Sequence, residues 1–232
     1  QWDCPAVRNP STLRKLKERA VETNQEYARR FGVSPATAVT SVKPSGNTSQ
    51  LVNSASGMHP RYAPYYIRRV RISAQDPLFH MLRDQKVPYY PEVGQTEESA
   101  TTYVLEFPVK SPEGSIFRKD LNALQQLEYW KKVKENYTEH NPSVTIYVGE
   151  NEWIAVANWL YEHWDILGGL TFLPKEEHLY RLAPYEEITK EEYEKRVSQF
   201  PKIDFAQLLT YEKKDNTTGP SGCGGAICEQ KK

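Results

Sequence analysis

Segments with the residue pattern of a strand alternate with segments of helical period along most of this 232-residue chain. The clearest run has a β-branched stretch at residues 143–148, an apolar helical stretch at 152–164 and a short apolar stretch at 169–173. Such alternation is typical of α/β proteins, in which a helix connects neighbouring strands. The sequence therefore predicts an α/β fold with about four or five strands.

Further elements follow from the same two periods and from residues that cap helices. Asp76-Pro77 predicts a helix start, and Thr189 with Glu192 forms a capping-box pattern before another helix. The predicted helices are 11–31, 78–83 and 120–137, and the predicted further strands are 37–42, 67–72 and 101–109.

Composition excludes several classes of protein. The 30 Lys and Arg residues balance 30 Asp and Glu residues, whereas a protein that wraps nucleic acid carries a basic excess. No apolar run is long enough to span a bilayer, and no apolar signal segment opens the chain. Three cysteines are too few for a disulfide scaffold of this size, so we expect a reducing, cytoplasmic setting.

A turn-prone loop follows the predicted strand at 37–42 and is a candidate phosphate site. Gly46 allows a backbone to approach a ligand closely, and a helix beginning here would point its amide groups at an anion. The candidate binding residues are Ser45, Gly46, Asn47, Thr48 and Ser49. Residues of these types also form ordinary strand-to-helix turns, so spacing leaves both interpretations open. The loop is not a Walker loop, because its lysine precedes the glycine.

Cys223 and Cys228 lie in a polar, glycine-rich stretch that we predict to be a flexible tail at residues 212–232, after a domain at 1–211. Two glycines between the cysteines permit the turn that a disulfide requires. A zinc half-site or an inert exposed pair are the alternatives. Zinc needs two more ligands, and the sequence offers no second pair at ligand spacing, so a redox dithiol is favoured and no metal site is predicted.

The remaining polar motifs have simpler interpretations. Arg61, Arg68, Arg69 and Arg71 lie among tyrosines, a composition that suits phosphate or base recognition. A solvated strand face paired with nearby acids is the favoured alternative. The five histidines stand in no metal or nucleophile motif, and we expect each to be a surface or capping residue.

A family resemblance adds to these observations. The sequence TSVKPSGNTSQLV at residues 40–52 resembles the late phosphate-binding segment of adenosylcobalamin-dependent (class II) ribonucleoside-triphosphate reductases. The similarity continues in order along nearly the whole chain and ends at the paired tail cysteines. Its other segments are residues 54–62, 66–71, 107–114, 139–148 and 182–187.

The resemblance implies a fold and a set of roles. The fold would be the C-terminal portion of a ten-stranded α/β barrel of the ribonucleotide reductase type. The loop at 44–49 would hold the phosphates of a ribonucleoside triphosphate, with Asn47 where the family usually has threonine. Cys223 and Cys228 would reduce the active-site disulfide after each turnover and would be reduced again by thioredoxin.

The resemblance also implies what lies elsewhere. The family's radical-forming cysteine, active-site cysteine pair and catalytic acid belong to an upstream part of the reductase, and no residue here matches them. Adenosylcobalamin would bind mostly or wholly outside this chain, so no cofactor-binding residue is assigned. We therefore expect an enzyme fragment that is inactive alone, with no nucleic-acid or membrane partner. The alternative is a non-catalytic barrel fragment that binds a nucleotide or a partner.

Overall fold

The computed structural model describes residue 2 and residues 4–175 and 180–214, and it has a mixed α/β architecture, as predicted. The helices are α1 Pro10–Phe31, α2 Thr48–Leu51, α3 Pro77–Asp84, α4 Ala123–Asn136, α5 Trp153–Glu162, α6 Lys190–Gln199 and α7 Leu208–Lys214. The strands are β1 Tyr65–Ser73, β2 Tyr89–Pro91, β3 Thr102–Lys110, β4 Thr145–Val148, β5 Thr171–Pro174 and β6 Tyr185–Glu187.

Capping residues explain where the helices begin. The Asn9 side chain accepts a hydrogen bond from Ser11 N at 2.8 Å before α1, and Asp76 accepts from Leu78 N at 2.9 Å before α3. The helix predicted from residue 120 begins at Ala123 instead. Asn122 and Gln125 form a reciprocal capping box there, with hydrogen bonds of 2.7 and 2.9 Å, and this stops the helix from extending further toward the N-terminus.

The strand predicted at 37–42 is wrong, because this segment joins no strand ladder. Its amide groups bond to a side chain instead: Val39 N and Thr40 N donate to a Glu139 carboxylate oxygen at 2.7 and 3.2 Å. These two bonds lower the pKa of Glu139. β-branched composition favours a strand, but it could not show which groups would accept the backbone hydrogen bonds.

The strands form two sheets. β4 and β5 are parallel, with Ile146 opposite Phe172, and α5 connects them as the opening pattern predicted. The other sheet has the order β2–β3–β1–β6, with β2 antiparallel to β3. β2 and β6 were not predicted, because strands of three residues are too short to show a period. Two sheets of this size do not make a ten-stranded barrel, which stays a prediction.

The chain divides into two compact units, each with its own apolar core. The first unit takes the described residues of 2–67, 108–180 and 185–193, and its core includes Leu127, Trp130 and Ile146. The second takes the other described residues, and its core includes Phe79, Met81 and Leu105. The predicted division at residue 211 stays a prediction. No helix within the described ranges has the length and apolar character needed to cross a membrane.

Candidate functional site

A cavity of about 240 Å³ in the first unit is the candidate site. It is rich in arginine and tyrosine, and none of the described residues that line it is acidic. The lining residues that carry the chemistry are His59, Arg61, Tyr62, Tyr66, Arg118, Tyr147 and Tyr185. Proline, serine, threonine, alanine and glutamine complete the wall. The combination of buried cations and phenol rings suits an anionic ligand with a planar or polar body.

The two arginines come from distant parts of the sequence that the backbone brings together. Arg61 N donates to Ile116 O at 2.9 Å, and Arg118 N donates to Arg61 O at 2.9 Å, so the segments form a parallel bridge. Both arginines are buried, with 7% and 4% of their surface exposed. Arg61 also holds the preceding turn, because its guanidinium donates to the side-chain and backbone oxygens of Asn53.

Arg118 lies against two of the phenol rings. Its guanidinium carbon is 3.9 Å from the ring centroid of Tyr62 and 5.7 Å from that of Tyr147, both within cation–π range. Burial raises the pKa of each phenol, and the charge of Arg118 opposes that rise. Both phenols therefore stay protonated at neutral pH and can act as hydrogen-bond donors.

The tyrosines are held by ring contacts and by backbone clamps. The ring of Tyr185 has its centroid 5.2 Å from that of Tyr62 and 5.7 Å from that of Tyr66. Tyr147 lies on β4, and its backbone is held by the buried side chain of Gln126 on α4. That side chain accepts from Tyr147 N and donates to Tyr147 O, both at 3.1 Å. This clamp fixes the position of Tyr147 along the wall without using its hydroxyl.

His59 has both ring nitrogens committed to the backbone. Nδ1 lies 2.9 Å from Ser56 O, and Nε2 accepts a hydrogen bond from Thr145 N at 3.0 Å. An amide can only donate, so the ring is neutral with its proton on Nδ1. Burial lowers the pKa of His59, and the bond to Ser56 partly opposes this. His59 therefore caps backbone groups, as one of the two expected roles, and joins a loop to the start of β4.

The predicted phosphate loop lies at the edge of this cavity. Pro44 and Gln50, which flank it, line the cavity, while Gly46, Asn47 and Thr48 are exposed. Ser45 and Ser49 bond to each other: Ser49 N donates to Ser45 Oγ at 2.9 Å, and Ser49 Oγ donates to Ser45 O. Asn47, the N-cap residue of the four-residue helix α2, makes no side-chain capping bond, whereas Ser45 accepts from the amide of Ser49 within that helix, a contact typical of an ordinary turn. Phosphate binding by the loop stays a prediction.

Gly57 explains how the loop is held in place. Its φ is +54°, and a Cβ at this position would lie 2.7 Å from Lys43 O. A side chain at this position would displace the backbone of Lys43, which precedes the loop. Both the positive φ and the close contact with Lys43 O therefore favour glycine. The loop's position therefore depends on a residue outside the predicted site.

Other sequence predictions fall elsewhere. Cys223 and Cys228 lie outside the described residues. In the second unit, Arg69 pairs with Glu106 and Arg71 pairs with Glu92, as the favoured interpretation of the arginine run expected, although Arg69 is buried and not solvated. Within the described ranges, no cluster of three or more His, Cys, Asp or Glu side chains could hold a metal ion.

Sequence reasoning missed Arg118 and Tyr147 as members of a site. Arg118 stands singly in a loop, and Tyr147 is one residue of an ordinary strand, so neither carried a local signal. Arg61 was noted, but only as part of an arginine run whose members Arg69 and Arg71 pair with acids in the second unit. A cavity built from residues about 50 to 120 positions apart in sequence has no local signature.

No protein-family model matches the chain. The adenosylcobalamin-dependent ribonucleoside-triphosphate reductase of Lactobacillus acidophilus is 27% identical over 228 residues, which cover 92% of this chain and 29% of that protein. The enzyme of the same name from Lactobacillus delbrueckii subsp. bulgaricus is 28% identical over 221 residues, with the same two coverages. This chain therefore spans under a third of the length of these relatives.

A solved structure agrees in fold. The crystal structure of a B-12 dependent (class II) ribonucleotide reductase superposes with a TM-score of 0.72 at 24% identity, covering 92% of this chain and 29% of that one. The resemblance inferred from the motifs is thus confirmed: over nearly its whole length, this chain is similar to a C-terminal segment of the adenosylcobalamin-dependent ribonucleoside-triphosphate reductases.

Proposed function

We propose that this chain forms part of a ribonucleotide reductase that converts ribonucleoside triphosphates to 2′-deoxyribonucleoside triphosphates by radical chemistry, with thioredoxin as reductant. The observation that carries the proposal is similarity to these reductases over 92% of the chain. The radical-forming cysteine, the active-site cysteine pair and the catalytic acid would belong to an upstream part of the same enzyme. The fold would complete the C-terminal portion of its ten-stranded barrel, in a cytoplasmic setting.

The first role of this chain is to bind the substrate's phosphates. The backbone amides of Gly46, Asn47 and Thr48 and the hydroxyl of Thr48 would donate to phosphate oxygens, while the bonds between Ser45 and Ser49 keep the loop in shape. The exposure of residues 46–48 and the cavity beside them support this arrangement. Holding the phosphates would fix the ribose relative to the upstream cysteines.

The second role is a dithiol relay. Each turnover leaves a disulfide at the upstream cysteine pair. The thiolate of Cys223 or Cys228 attacks that disulfide, and the other tail cysteine then resolves the mixed disulfide, which leaves the upstream pair reduced and the tail oxidised. Two electrons and two protons pass in this exchange, and the dithiol of thioredoxin returns them to the tail.

The candidate cavity does not fit adenosylcobalamin. Its volume of about 240 Å³ is below the roughly 300–1,000 Å³ of pockets for ordinary small-molecule ligands, and a corrin ring is far larger. His59, the histidine that lines it, has both ring nitrogens bonded to backbone groups and offers no lone pair to a metal. We therefore assign the cofactor to the upstream part of the enzyme and derive no step through it.

Serine variants of the tail cysteines test the proposal in the full-length polypeptide that contains this chain. We expect Cys223→Ser and Cys228→Ser to abolish turnover driven by thioredoxin and to retain turnover driven by a small dithiol, which reaches the active site directly. Cys4→Ser is the matched control, because Cys4 is an exposed thiol outside the tail. Unchanged thioredoxin-driven turnover in the tail variants would contradict the proposed dithiol relay.

The second candidate function is a non-catalytic nucleotide-binding module. It is favoured by the observation that the chain covers only 29% of the length of its relative from Lactobacillus acidophilus. It predicts phosphate-dependent binding that Ser45→Ala and Thr48→Ala weaken, with no deoxynucleotide formed in any context. Formation of deoxynucleotide by the full-length polypeptide would exclude it.

A further inference from the structure

The predicted phosphate loop supplies no formal positive charge. Its six residues are proline, serine, glycine, asparagine, threonine and serine, and α2 has only four residues, so the dipole of that helix is small. A nucleoside triphosphate carries several negative charges, whereas amides and hydroxyls contribute only partial charges. A loop of this composition offers phosphate oxygens only partial charges, so cationic side chains elsewhere in the site would strengthen the binding of a triphosphate.

Lys43, which is exposed, directly precedes the loop, and two buried cations lie on the wall of the candidate cavity beside it. Arg61 and Arg118 line the same cavity as Pro44 and Gln50, the residues at the two ends of the loop. They are fixed relative to each other, because Arg118 N donates to Arg61 O at 2.9 Å. The guanidinium of Arg118 is also fixed, since it lies 3.9 Å from the centre of the Tyr62 ring.

We propose that Arg61 and Arg118 form a cationic wall that binds the terminal phosphate of the nucleotide, while the loop at 44–49 binds the phosphates nearer the ribose. This inference rests on the proposed function. It assigns substrate-binding roles to two residues outside the loop. It also makes affinity depend on the number of phosphates, so that a triphosphate is favoured over a monophosphate.

Electrostatics supports this assignment. A charge with 4–7% exposure interacts with a ligand anion through a medium of lower dielectric than water, so each contact is stronger than on the surface. The positive charge of Arg118 acts on both neighbouring phenols of the wall, because it opposes the burial-driven rise in the pKa of Tyr62 and of Tyr147. None of the described lining residues is acidic, so the wall itself places no anion in the cavity.

A purely structural role for Arg118 predicts a different result. In that case its stacking on Tyr62 and its hydrogen bond to Tyr62 O at 3.3 Å would only support packing, and its loss would weaken every ligand equally. A phosphate-binding role makes the loss depend on the ligand's charge. Comparing nucleotides that differ only in phosphate number separates the two roles.

The test measures equilibrium binding of adenosine tri- and monophosphate to the full-length polypeptide that contains this chain. We expect Arg118→Gln to weaken triphosphate binding about 10- to 100-fold, the loss of one charge-assisted contact, and monophosphate binding less than about threefold. Arg19→Gln is the matched control, because Arg19 is exposed on α1 and pairs with Glu22. Circular dichroism melts verify that each variant folds.

The outcomes are distinct. Equal losses for the two nucleotides, or no loss, would overturn the cationic wall. Ser45→Ala and Thr48→Ala test the proposed function separately: if neither weakens binding, phosphate binding by the loop is contradicted, whatever the result for Arg118.

If Arg118→Gln does not fold, Arg118→Lys is the second variant. It keeps the charge, so the salt dependence of triphosphate affinity should equal that of the wild type, and a shallower dependence would refute the inference.

Discussion

At the scale of single residues, His59 illustrates how tertiary contacts fix a protonation state. Its position in the sequence suggested only a surface or capping residue. In the structure, Nε2 accepts from Thr145 N, and Nδ1 donates to Ser56 O. A second ring proton would break the bond to Thr145 at the start of β4. The neutral ring is therefore part of what holds β4 beside the cavity.

This arrangement predicts a pH dependence of stability. The pKa of His59 is lower in the folded chain than the ordinary value of about 6.5, so below that pH the unfolded state binds more protons. The contribution of His59 to the free energy of unfolding is complete above about pH 6.5 and is lost as pH falls toward the lower, folded-state pKa. Denaturant melts between pH 8 and pH 5 measure this, and His59→Gln should flatten the slope.

His80→Gln is the control for this experiment, because His80 lies on α3 and its ring contacts Phe79. It should keep the wild-type slope. A slope that His59→Gln leaves unchanged would contradict the assigned tautomer.

At the scale of elements, a buried ion-pair network ties three elements of the second unit. Arg69 on β1 donates through Nε to Glu106 on β3 at 2.7 Å, and Arg196 on α6 donates to the other Glu106 oxygen at 3.0 Å. Arg69 also donates to Ala183 O at 3.0 Å. Glu106 is only 3% exposed, so its charge depends on these partners for stabilisation.

Removing the Glu106 charge should therefore be costly. We expect Glu106→Gln to lower the free energy of unfolding by about 3–5 kcal/mol, because it leaves the buried Arg69 without a counter-charge. Urea denaturation followed by circular dichroism measures the loss. Glu92→Gln is the matched control, since the Arg71–Glu92 pair is partly exposed and should be worth less than about 1 kcal/mol. Similar small losses in both variants would show that the network contributes little.

At the scale of the whole molecule, the described residues leave apolar surface uncovered. Ile154 and Tyr161 on α5 and Trp164 just after it are 87%, 83% and 73% exposed. The parallel pair β4–β5 has two strands, whereas parallel sheets are normally larger and covered on both faces. Because the chain spans only 29% of its relatives' length, a larger assembly would have residues to cover such surfaces.

We expect the chain, when it is produced by itself, to self-associate as its concentration rises, since exposed apolar side chains and open strand edges promote association. Sedimentation velocity over a concentration series measures this. Ile154→Glu should reduce the association, whereas Asn158→Glu adds the same charge at an exposed polar position of α5 and should have a smaller effect. A wild-type chain that stays monomeric at every concentration would contradict the expectation.

The sequence by itself determined the order and type of the longer elements. α1, α3, β1 and β3 lie close to their predicted ranges, because apolar period and capping residues act over a few positions. Chain-wide motifs likewise pointed to the reductases to which the chain is similar over 92% of its length. The short strands β2 and β6 were too short to show a period, and the strand predicted at 37–42 was wrong because its amide groups bond to Glu139, about 100 positions away.

Only the tertiary structure decided the composition of the candidate site. The phosphate loop was visible locally, since its turn residues are consecutive. The cavity beside it joins Arg61 to Arg118 through backbone bonds and His59 to Thr145 through a ring nitrogen, and each pair is separated by more than 50 positions. Which side chains meet across such distances is fixed by packing of the whole first unit, and no local pattern of residues records it.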